Sequence, residues 1–305
     1  MGRRGGSGQG QGGQGQGVQV KGKRRRRKRV DFETPLESLQ NLMEALRSER
    51  GGRGALGLLR GTAAWVRVGN KTSFCLGRCC VGRFMPSWDS ALQEAVDRID
   101  PWVPTTSTTT EASAPTPNED DEDVHWYRLS LEEAFFLLHC LRCLELRDLG
   151  STQECPALSS RDCWSRFLRL QPTFLKTYVC YQHFRAEGYI VKSGIYYGCT
   201  HVLYKSHPTV NHSEYCVLAI LQDRDKVADK VDADDVAKEE DFVPYEDLQS
   251  LVRVSVNVKK KLVLLYVFCP PAGEGPDQLD VDVLQSVEVD EFVVSRWLPG
   301  SAPEG

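Results

Sequence analysis

A stretch rich in threonine and proline, and then in acidic residues, divides this sequence of 305 residues. It begins at Pro101, continues as WVPTTSTTTEASAPTPNEDDED and ends at Asp123. Such a composition cannot bury enough apolar surface to form a core, and proline interrupts both helices and strands. We therefore expect a linker at 101–125, a region of uncertain fold at 31–100 before it, and compact material after it.

The segment at 1–30 is predicted to be a disordered, basic tail. Residues 1–20 are rich in glycine and glutamine, which cannot form a packed core. Residues 1–29 carry ten lysines and arginines and no acid, whereas the sequence from 30 to 305 has a net charge of −14. The block from Lys21 to Arg29 is typical of a nuclear import signal or of a loose contact with RNA phosphates. The plain alternative is a solvated charge run without a specific partner. The import signal is the favoured interpretation, and it makes the nucleus the expected location.

No apolar run approaches the roughly 18 residues of a membrane-spanning helix, and the start of the sequence lacks the apolar segment of a secretion signal. The eleven cysteines therefore suggest a reducing compartment rather than a disulfide framework. Cys75, Cys79 and Cys80 form one cluster, and Cys140 and Cys143 form another. Neither cluster has a second pair of ligands at zinc spacing. We expect these thiols to be small core residues and expect neither a metal nor a cofactor.

Before the linker, only one element is clearly predicted. The segment PLESLQNLMEALR at 35–47 places five apolar side chains on one face, which indicates an amphipathic helix. The sequence at 51–100 contains scattered apolar stretches, LGLLRGTAAWVRV and TSFCLG, which predict short strands with turns.

Behind the linker, helices come first. Leu129–Leu146 is predicted to be a helix capped at its start by Ser130, and Cys163–Leu170 a second, short one. A third helix is expected at Thr173–Glu187, ended by Gly188. The first two helices predict a helical subdomain at 126–172, and the third begins the domain that follows.

The remaining sequence predicts a mixed α/β domain at 173–300. It has strand-like runs at Tyr189–Lys192, Tyr196–Tyr204, Tyr215–Leu221, Arg253–Val258, Leu262–Phe268 and Val287–Trp297, with a helix at Tyr245–Val252. The acidic segment at 223–241 is expected to be a surface insertion. Helices placed before and among several strands indicate an α/β (α+β) fold.

Several classes of active site are excluded by missing motifs. The sequence has no G-x-S-x-G element of an α/β-hydrolase and no P-loop. No lysine has an acid two residues before it, which argues against a metal-dependent nuclease of the restriction type.

Three polar side chains at strand ends are candidates for metal-free cleavage of a phosphodiester. Tyr204 ends the strand HVLY, His212 lies eight residues later, and Lys260 follows the alternating run RVSVNV. Such cleavage needs a group that accepts a proton, a group that donates one, and a cation that offsets the charge on the phosphorane. Each residue also has a plain alternative: packing for the tyrosine, loop hydrogen bonding for the histidine, and a solvated charge for the lysine.

Several blocks, taken in order, resemble the tRNA-splicing endonuclease family. They are LSLEEAFFLLHCLRCLEL, QPTFLKTYVCYQHFRAEGYIVKSGIYYGCTHVLY, HPTVNHSEYCV, RVSVNVKKKLVLLYV and VSRW. The resemblance covers about 129–297 and is greatest to the catalytic subunit that cuts the 5′ splice site. It implies a C-terminal mixed β-sheet domain flanked by helices.

The resemblance also assigns residues. It implies that Tyr204, His212 and Lys260 are catalytic, with Lys259 and Lys261 as flanking alternatives for the lysine. It implies that Arg253 and Trp297 hold an extruded base of the RNA in a cation–π sandwich.

The implied reaction is attack by the ribose 2′-hydroxyl on the adjacent phosphate, which requires RNA and leaves a 2′,3′-cyclic phosphate and a 5′-hydroxyl. In the family Tyr204 is the base and His212 the acid, but a phenol with a pKa near 10 is a weak base at neutral pH, so the two labels stay open here.

The implied partners are precursor tRNA, a second catalytic subunit and two structural subunits, in the nucleus. The alternating run Val281–Val294 is a candidate for subunit pairing by strand addition or a plain edge strand. Two other assignments stay open: a non-catalytic scaffold subunit of the same complex, and the sister subunit that cuts the 3′ splice site.

Overall fold

The computed structural model describes residues 28–29, 37–87, 90–99, 124–150, 155–223, 244–270 and 280–294. These residues form two six-stranded sheets with helices against their faces, which confirms the mixed α/β class. The tail up to residue 27, the acidic stretch at 101–123, most of the predicted insertion and Trp297 lie outside the described residues.

Seven α-helices and twelve strands make up the described fold. The helices are α1 (Glu37–Gly52), α2 (Asn70–Cys79), α3 (Ser90–Ile99), α4 (Leu131–Phe135), α5 (Ser160–Leu170), α6 (Phe174–Ala186) and α7 (Tyr245–Asn257). The strands are β1 (Lys28–Arg29), β2 (Ala55–Arg60), β3 (Ala63–Val68), β4 (Arg83–Met85), β5 (His125–Leu129), β6 (Leu144–Asp148), β7 (Ala157–Leu158), β8 (Ile190–Ser193), β9 (His201–Tyr204), β10 (Tyr215–Asp223), β11 (Lys261–Cys269) and β12 (Glu288–Val294).

The first sheet is built from both sides of the predicted linker. Its order is β4-β5-β3-β2-β6-β7. Strand β3, before the linker, pairs with β5, after it, and β2 pairs in parallel with β6. The predicted division between 31–100 and a helical subdomain at 126–172 is therefore wrong for these strands, because pairing between distant segments closes one sheet.

The helix predicted at Leu129–Leu146 is much shorter. Ser130 caps α4 as expected, since its hydroxyl accepts a hydrogen bond from the backbone N–H of Glu133 and the Glu133 carboxylate accepts one from the Ser130 N–H. A π-helical turn follows at Phe136–Cys140. Arg142 then adopts a left-handed conformation, with φ 52°, and the chain turns into β6.

Before the linker, the predicted helix and the strands predicted in LGLLRGTAAWVRV are confirmed, whereas the strand predicted at TSFCLG is wrong. The amphipathic helix is α1, and the apolar run after it forms the hairpin of β2 and β3. The segment TSFCLG is part of helix α2 rather than a strand. Its buried residues are Thr72, Leu76 and Cys79, spaced three and four residues apart as on one helix face.

The second sheet holds the candidate site. Its order is β1-β12-β11-β10-β9-β8, and only β10 and β11 run parallel. The run predicted as one strand at Tyr196–Tyr204 is a 3₁₀ turn at Ile195–Tyr197 followed by β9. The last predicted strand is described at Glu288–Val294, preceded by a 3₁₀ turn at Val281–Gln285.

Helices α6 and α7 cover opposite faces of the second sheet. Most of α6 is buried, including Phe174, Tyr178 and Phe184, in the large hydrophobic core that also joins the first sheet. Leu251 and Val252 of α7 pack in a separate cluster on the other face. Successive side chains of a strand point to opposite faces of the sheet. Because both faces of this sheet carry apolar side chains, each face is covered by a helix.

Helix α7 extends through the run predicted as a strand at Arg253–Val258. The alternation in RVSVNV favours a strand, yet the segment stays helical to Asn257. The helix ends in a Schellman motif: the N–H of Lys260 donates to the carbonyl of Ser255 and that of Lys259 to Val256. Lys259 has φ 55°, a position where glycine is usual, so the sequence carries no obvious stop signal.

Candidate active site

Tyr204 lies at the last position of β9. It pairs with Ile190 of β8, and its half-buried ring packs against the hydrophobic cluster on the α7 face of the sheet. The preceding residue, Leu203, accepts a hydrogen bond from the backbone N–H of Glu214. The far end of the loop that follows Tyr204 is thereby returned to the same edge.

His212 lies in that loop, at 205–214, and its side chain is exposed. The strand after the loop starts at Tyr215, which lies opposite Leu203 on β9 and Lys261 on β11. The three central strands therefore begin or end at one edge. Tyr204, the loop with His212, and Lys260 all lie at this edge.

Lys260 is tied to the same loop by its side chain. Its ammonium donates a hydrogen bond of 3.0 Å to the backbone carbonyl of Ser213, the neighbour of His212. The same nitrogen lies 5.2 Å from the centre of the Tyr197 ring, within the range of a cation–π contact. The ring of Tyr197 packs against the cluster that also contacts Tyr204.

The structure thus brings the three candidate residues to one edge and adds two groups that the sequence reasoning missed. Tyr197 and the Ser213 carbonyl hold the Lys260 ammonium in place. In the sequence, Tyr196 and Tyr197 belong to a Tyr-Tyr-Gly element that indicates a structural role, and no spacing links either ring to a lysine so much later in the chain.

The electrostatics of this edge are visible at a neighbouring pair of thiols. The neighbouring Cys199 thiol is the main cause that lowers the pKa of Cys216, to about 7; burial opposes this shift, and the Ser255 hydroxyl and the Lys260 charge contribute less. A hydrogen bond with Cys216, together with burial, raises the pKa of Cys199. The positive charge of Lys260 is the smallest of the contributions at Cys216.

The two residues of the expected base clamp differ in what can be said of them. Arg253 lies on helix α7 rather than on a strand, and its side chain is exposed. Trp297 is outside the described residues, so the pairing of the two remains a prediction.

Neither cysteine cluster forms a metal centre in the part of the chain that the structure describes. Burial raises the pKa of Cys143 to about 12 and also raises the pKa of Cys140 and Cys79, as expected for thiols that pack in a core. Another group could hold a metal ion. It consists of His183, Glu187 and Glu291, whose ligand atoms lie within 4.8 Å of one another. His183 and Glu291 are 2.7 Å apart and form an ion pair when the imidazole is protonated.

Residues 174–274 match the family model described as tRNA intron endonuclease, catalytic C-terminal domain. The C-terminal part of this chain is therefore similar to the catalytic domain of tRNA intron endonucleases. Its matched residues include Tyr204, His212, Arg253 and Lys260, whereas Trp297 lies beyond them. Within the described residues, no helix has both the length and the apolar character to cross a membrane.

Several curated proteins that are similar to this chain are named as tRNA-splicing endonuclease subunits. The chain is 34% identical over 173 residues to subunit Sen2 of Mus musculus, a match that covers 57% of this chain and 35% of the mouse protein. It is 27% identical over 267 residues to subunit Sen2-1 of Arabidopsis thaliana, with 86% of this chain and 89% of that protein covered. The chain thus spans about a third of the length of the mammalian relatives and most of the plant one.

Proposed function

We propose that this chain is the catalytic subunit of a tRNA-splicing endonuclease and that it cuts intron-containing precursor tRNA at the 5′ splice site. The observation that supports this most is the bond from the Lys260 ammonium to Ser213, which joins the lysine to the loop of His212 at the edge where Tyr204 ends its strand. The names of the relatives support the substrate class.

In the proposed reaction the ribose 2′-oxygen attacks the adjacent phosphorus. A new bond forms between them, the bond from phosphorus to the 5′-oxygen breaks, and the products carry a 2′,3′-cyclic phosphate and a 5′-hydroxyl. One proton leaves the attacking hydroxyl and one reaches the departing oxygen. We assign these two transfers to the pair Tyr204 and His212.

Lys260 is proposed to stabilise the charge that gathers on the phosphorane. An ammonium has three N–H donors, and the Ser213 carbonyl accepts only one of them. The Tyr197 ring lies against the same ammonium, so at most two donors are left for phosphate oxygens. Because its position is fixed by Ser213 and Tyr197, little reorganisation is needed when the charge develops.

The substrate must be RNA, since DNA has no 2′-hydroxyl. We further propose that Arg253 contacts an extruded base near the cut, with Trp297 on the other side of that base. The chain would act with a second catalytic subunit and two structural subunits. The candidate run for subunit pairing, Val281–Val294, includes strand β12. One side of β12 is paired with β11, and on its other side Glu288 and Val289 are paired with β1. Pairing with another subunit would therefore use the residues of this run that β1 and β11 leave unpaired.

The nucleus is the proposed location, with the segment 21–29 as the import signal. A fluorescent fusion that lacks this segment should no longer accumulate in the nucleus.

The proposed function is tested by purifying the tagged chain with its bound partners and assaying the complex on intron-containing precursor tRNA. Excision of the intron is expected, and a purified complex that binds this RNA without cutting it would count against the proposal.

A further inference from the structure

Helix α2 presents an exposed aromatic side chain between two cations. Phe74 has 65% of its surface exposed, and Arg78, one turn later, places its guanidinium carbon 5.8 Å from the centre of the Phe74 ring. Lys71, one turn earlier, is also exposed. The helix contains no acidic residue. We call Lys71, Phe74 and Arg78 the α2 surface.

The sequence around helix α2 is basic, although Glu49 near the end of α1 accepts hydrogen bonds from the Gly69 N–H and the Thr72 hydroxyl. The segment 50–88 contains seven lysines and arginines and no acid, in a chain whose net charge from position 30 onward is −14. Arg50 and Arg67 are used internally, in ion pairs with Glu145 and Asp97. Within the described residues Lys71 and Arg78 make no ion pair, so their charge is available to an anionic partner.

The α2 surface is next to the candidate active site. The His207 imidazole lies 3.3 Å from the backbone carbonyl of Gly77, which joins α2 to the loop that carries His212. The Lys192 ammonium donates to the carbonyl of Cys80 just after α2, and Lys192 lies on β8, the neighbour of β9. Helix α2 is therefore a neighbour of the loop and of the strands that meet at Tyr204.

We propose that the α2 surface binds unpaired nucleotides of the RNA beside the cut, with a base stacked on Phe74 and phosphates on Lys71 and Arg78. Exposed rings with cations beside them form such stacking platforms, and only unpaired bases have a free face to stack. This inference rests on the proposed function, because it takes the strand at the α2 surface to be the one that is cut.

An RNA fits this surface better than a protein does. Phenylalanine and arginine are common at protein interfaces, but lysine is depleted from their centres, and a protein partner would have to supply acids to match Lys71 and Arg78. A nucleotide provides both complements at once, a ring and a phosphate.

The test uses the purified complex and four variants of this chain. Phe74→Leu keeps an apolar side chain but removes the ring, Phe74→Trp keeps a ring, and Arg78→Gln removes one charge. Arg98→Gln removes an exposed charge from α3, a helix packed against the opposite face of the first sheet, and serves as the control.

We expect Phe74→Leu to raise the KM for precursor tRNA about tenfold with little change in kcat, and Phe74→Trp to restore it. In a plot of the logarithm of the binding constant against the logarithm of the salt concentration, Arg78→Gln should make the slope less steep by about 0.7. Arg98→Gln should match the wild type. An unchanged KM in Phe74→Leu would overturn the inference, and so would loss of a subunit from that variant in size-exclusion chromatography, which would identify a protein interface.

The proposed function and this inference can fail separately. If the wild-type complex does not cleave precursor tRNA, the proposed function fails. The dissociation constants of the same RNA for wild type and Phe74→Leu then still test the surface: a weaker complex for the variant supports it, and equal binding overturns it.

Discussion

The side chain of Lys260 is hydrogen-bonded to the backbone of Ser213, a residue 47 positions earlier in the chain. Lys260 precedes β11 and Ser213 precedes β10, and these two strands run parallel from the same edge. The bond therefore fixes the distance between the ammonium and the loop that carries His212. It also turns one lysine of three toward the site.

Substitution of His212 should slow cleavage strongly without harming the fold, because its side chain is exposed. We expect His212→Ala to lower the single-turnover rate by about 10²- to 10⁴-fold, the usual contribution of a proton-transferring group. His207→Ala in the same loop is the matched control and should have a much smaller effect, since His207 contacts Thr209 and Gly77 instead. Wild-type rates in His212→Ala would contradict the assignment.

Cleavage is expected to persist in excess EDTA. A phenol, an imidazole and an ammonium supply both proton transfers and the charge stabilisation, so the chemistry needs no divalent ion. The substrate should be folded beforehand in a polyamine, because RNA itself loses structure without magnesium. The ends are then examined for a 2′,3′-cyclic phosphate. A strict requirement for a divalent ion with folded RNA would disprove this part of the mechanism.

Gly194 is expected to be essential for the turn that carries Tyr197. Its carbonyl accepts hydrogen bonds from the N–H of Tyr197 and of Cys199. A Cβ at this position would overlap the Cys199 sulfur and would lie 2.7 Å from the Cys199 carbonyl oxygen. Gly194→Ala should therefore lower the free energy of unfolding by about 1–3 kcal/mol and reduce cleavage.

The control for this substitution is Gly77→Ala in helix α2. A Cβ there meets nothing within 4 Å, and alanine favours a helix over glycine by up to about 1 kcal/mol. Denaturant unfolding should show equal or higher stability for Gly77→Ala. Equal stability of both variants would mean that the turn at Gly194 tolerates a side chain.

The free energy of unfolding should fall as the pH drops below the pKa of a free imidazole, because His201 is buried and neutral. Burial lowers its pKa to about 4, against the opposing charge of Glu132. The unfolded chain binds this proton near pH 6.5. The stabilisation is therefore complete above about pH 6.5 and is lost as the pH falls toward 4, by up to about 1.4 kcal/mol per pH unit.

Unfolding in urea at several pH values measures this effect. His201→Gln cannot bind the proton, so its free energy of unfolding should depend less on pH between 6.5 and 4 than that of the wild type. The same pH dependence in both proteins would show that His201 is not the group responsible.

Local signals predicted much of the second sheet. Gly188 ends α6 as expected, since its backbone has φ 94° and only a residue without a side chain adopts this easily. The runs at Tyr215–Leu221 and Leu262–Phe268 are β10 and β11, because continuous apolar residues suit strands that are buried on both faces.

The failures have physical causes too. The alternation Val254, Val256, Val258 favours a strand, but packing of α7 on the sheet prevails over propensity. Lys259 stands where a glycine would have marked the helix end. Pairing of β3 with β5 joins segments from opposite sides of the stretch at 101–123, and no local pattern encodes such pairing.

The candidate site was predicted as residue types rather than as a geometry. Tyr204, His212 and Lys260 followed from the ends of strands and from a family resemblance. The contacts of Lys260 with Ser213 and Tyr197 depend on the register of three strands and on the end of α7. The sequence pattern at the end of α7 predicted a strand instead of a helix.

The most direct test of the proposed function maps the cuts made by a complex that carries Lys260→Ala. Lys259→Gly, which suits the left-handed backbone at that position, and Lys261→Ala serve as matched controls. We expect both controls to cut precursor tRNA at both splice sites. For Lys260→Ala we expect loss of the 5′ cut by about 10²-fold or more, with the 3′ cut retained. Loss of the 3′ cut alone, or normal cutting at both sites, would contradict the account.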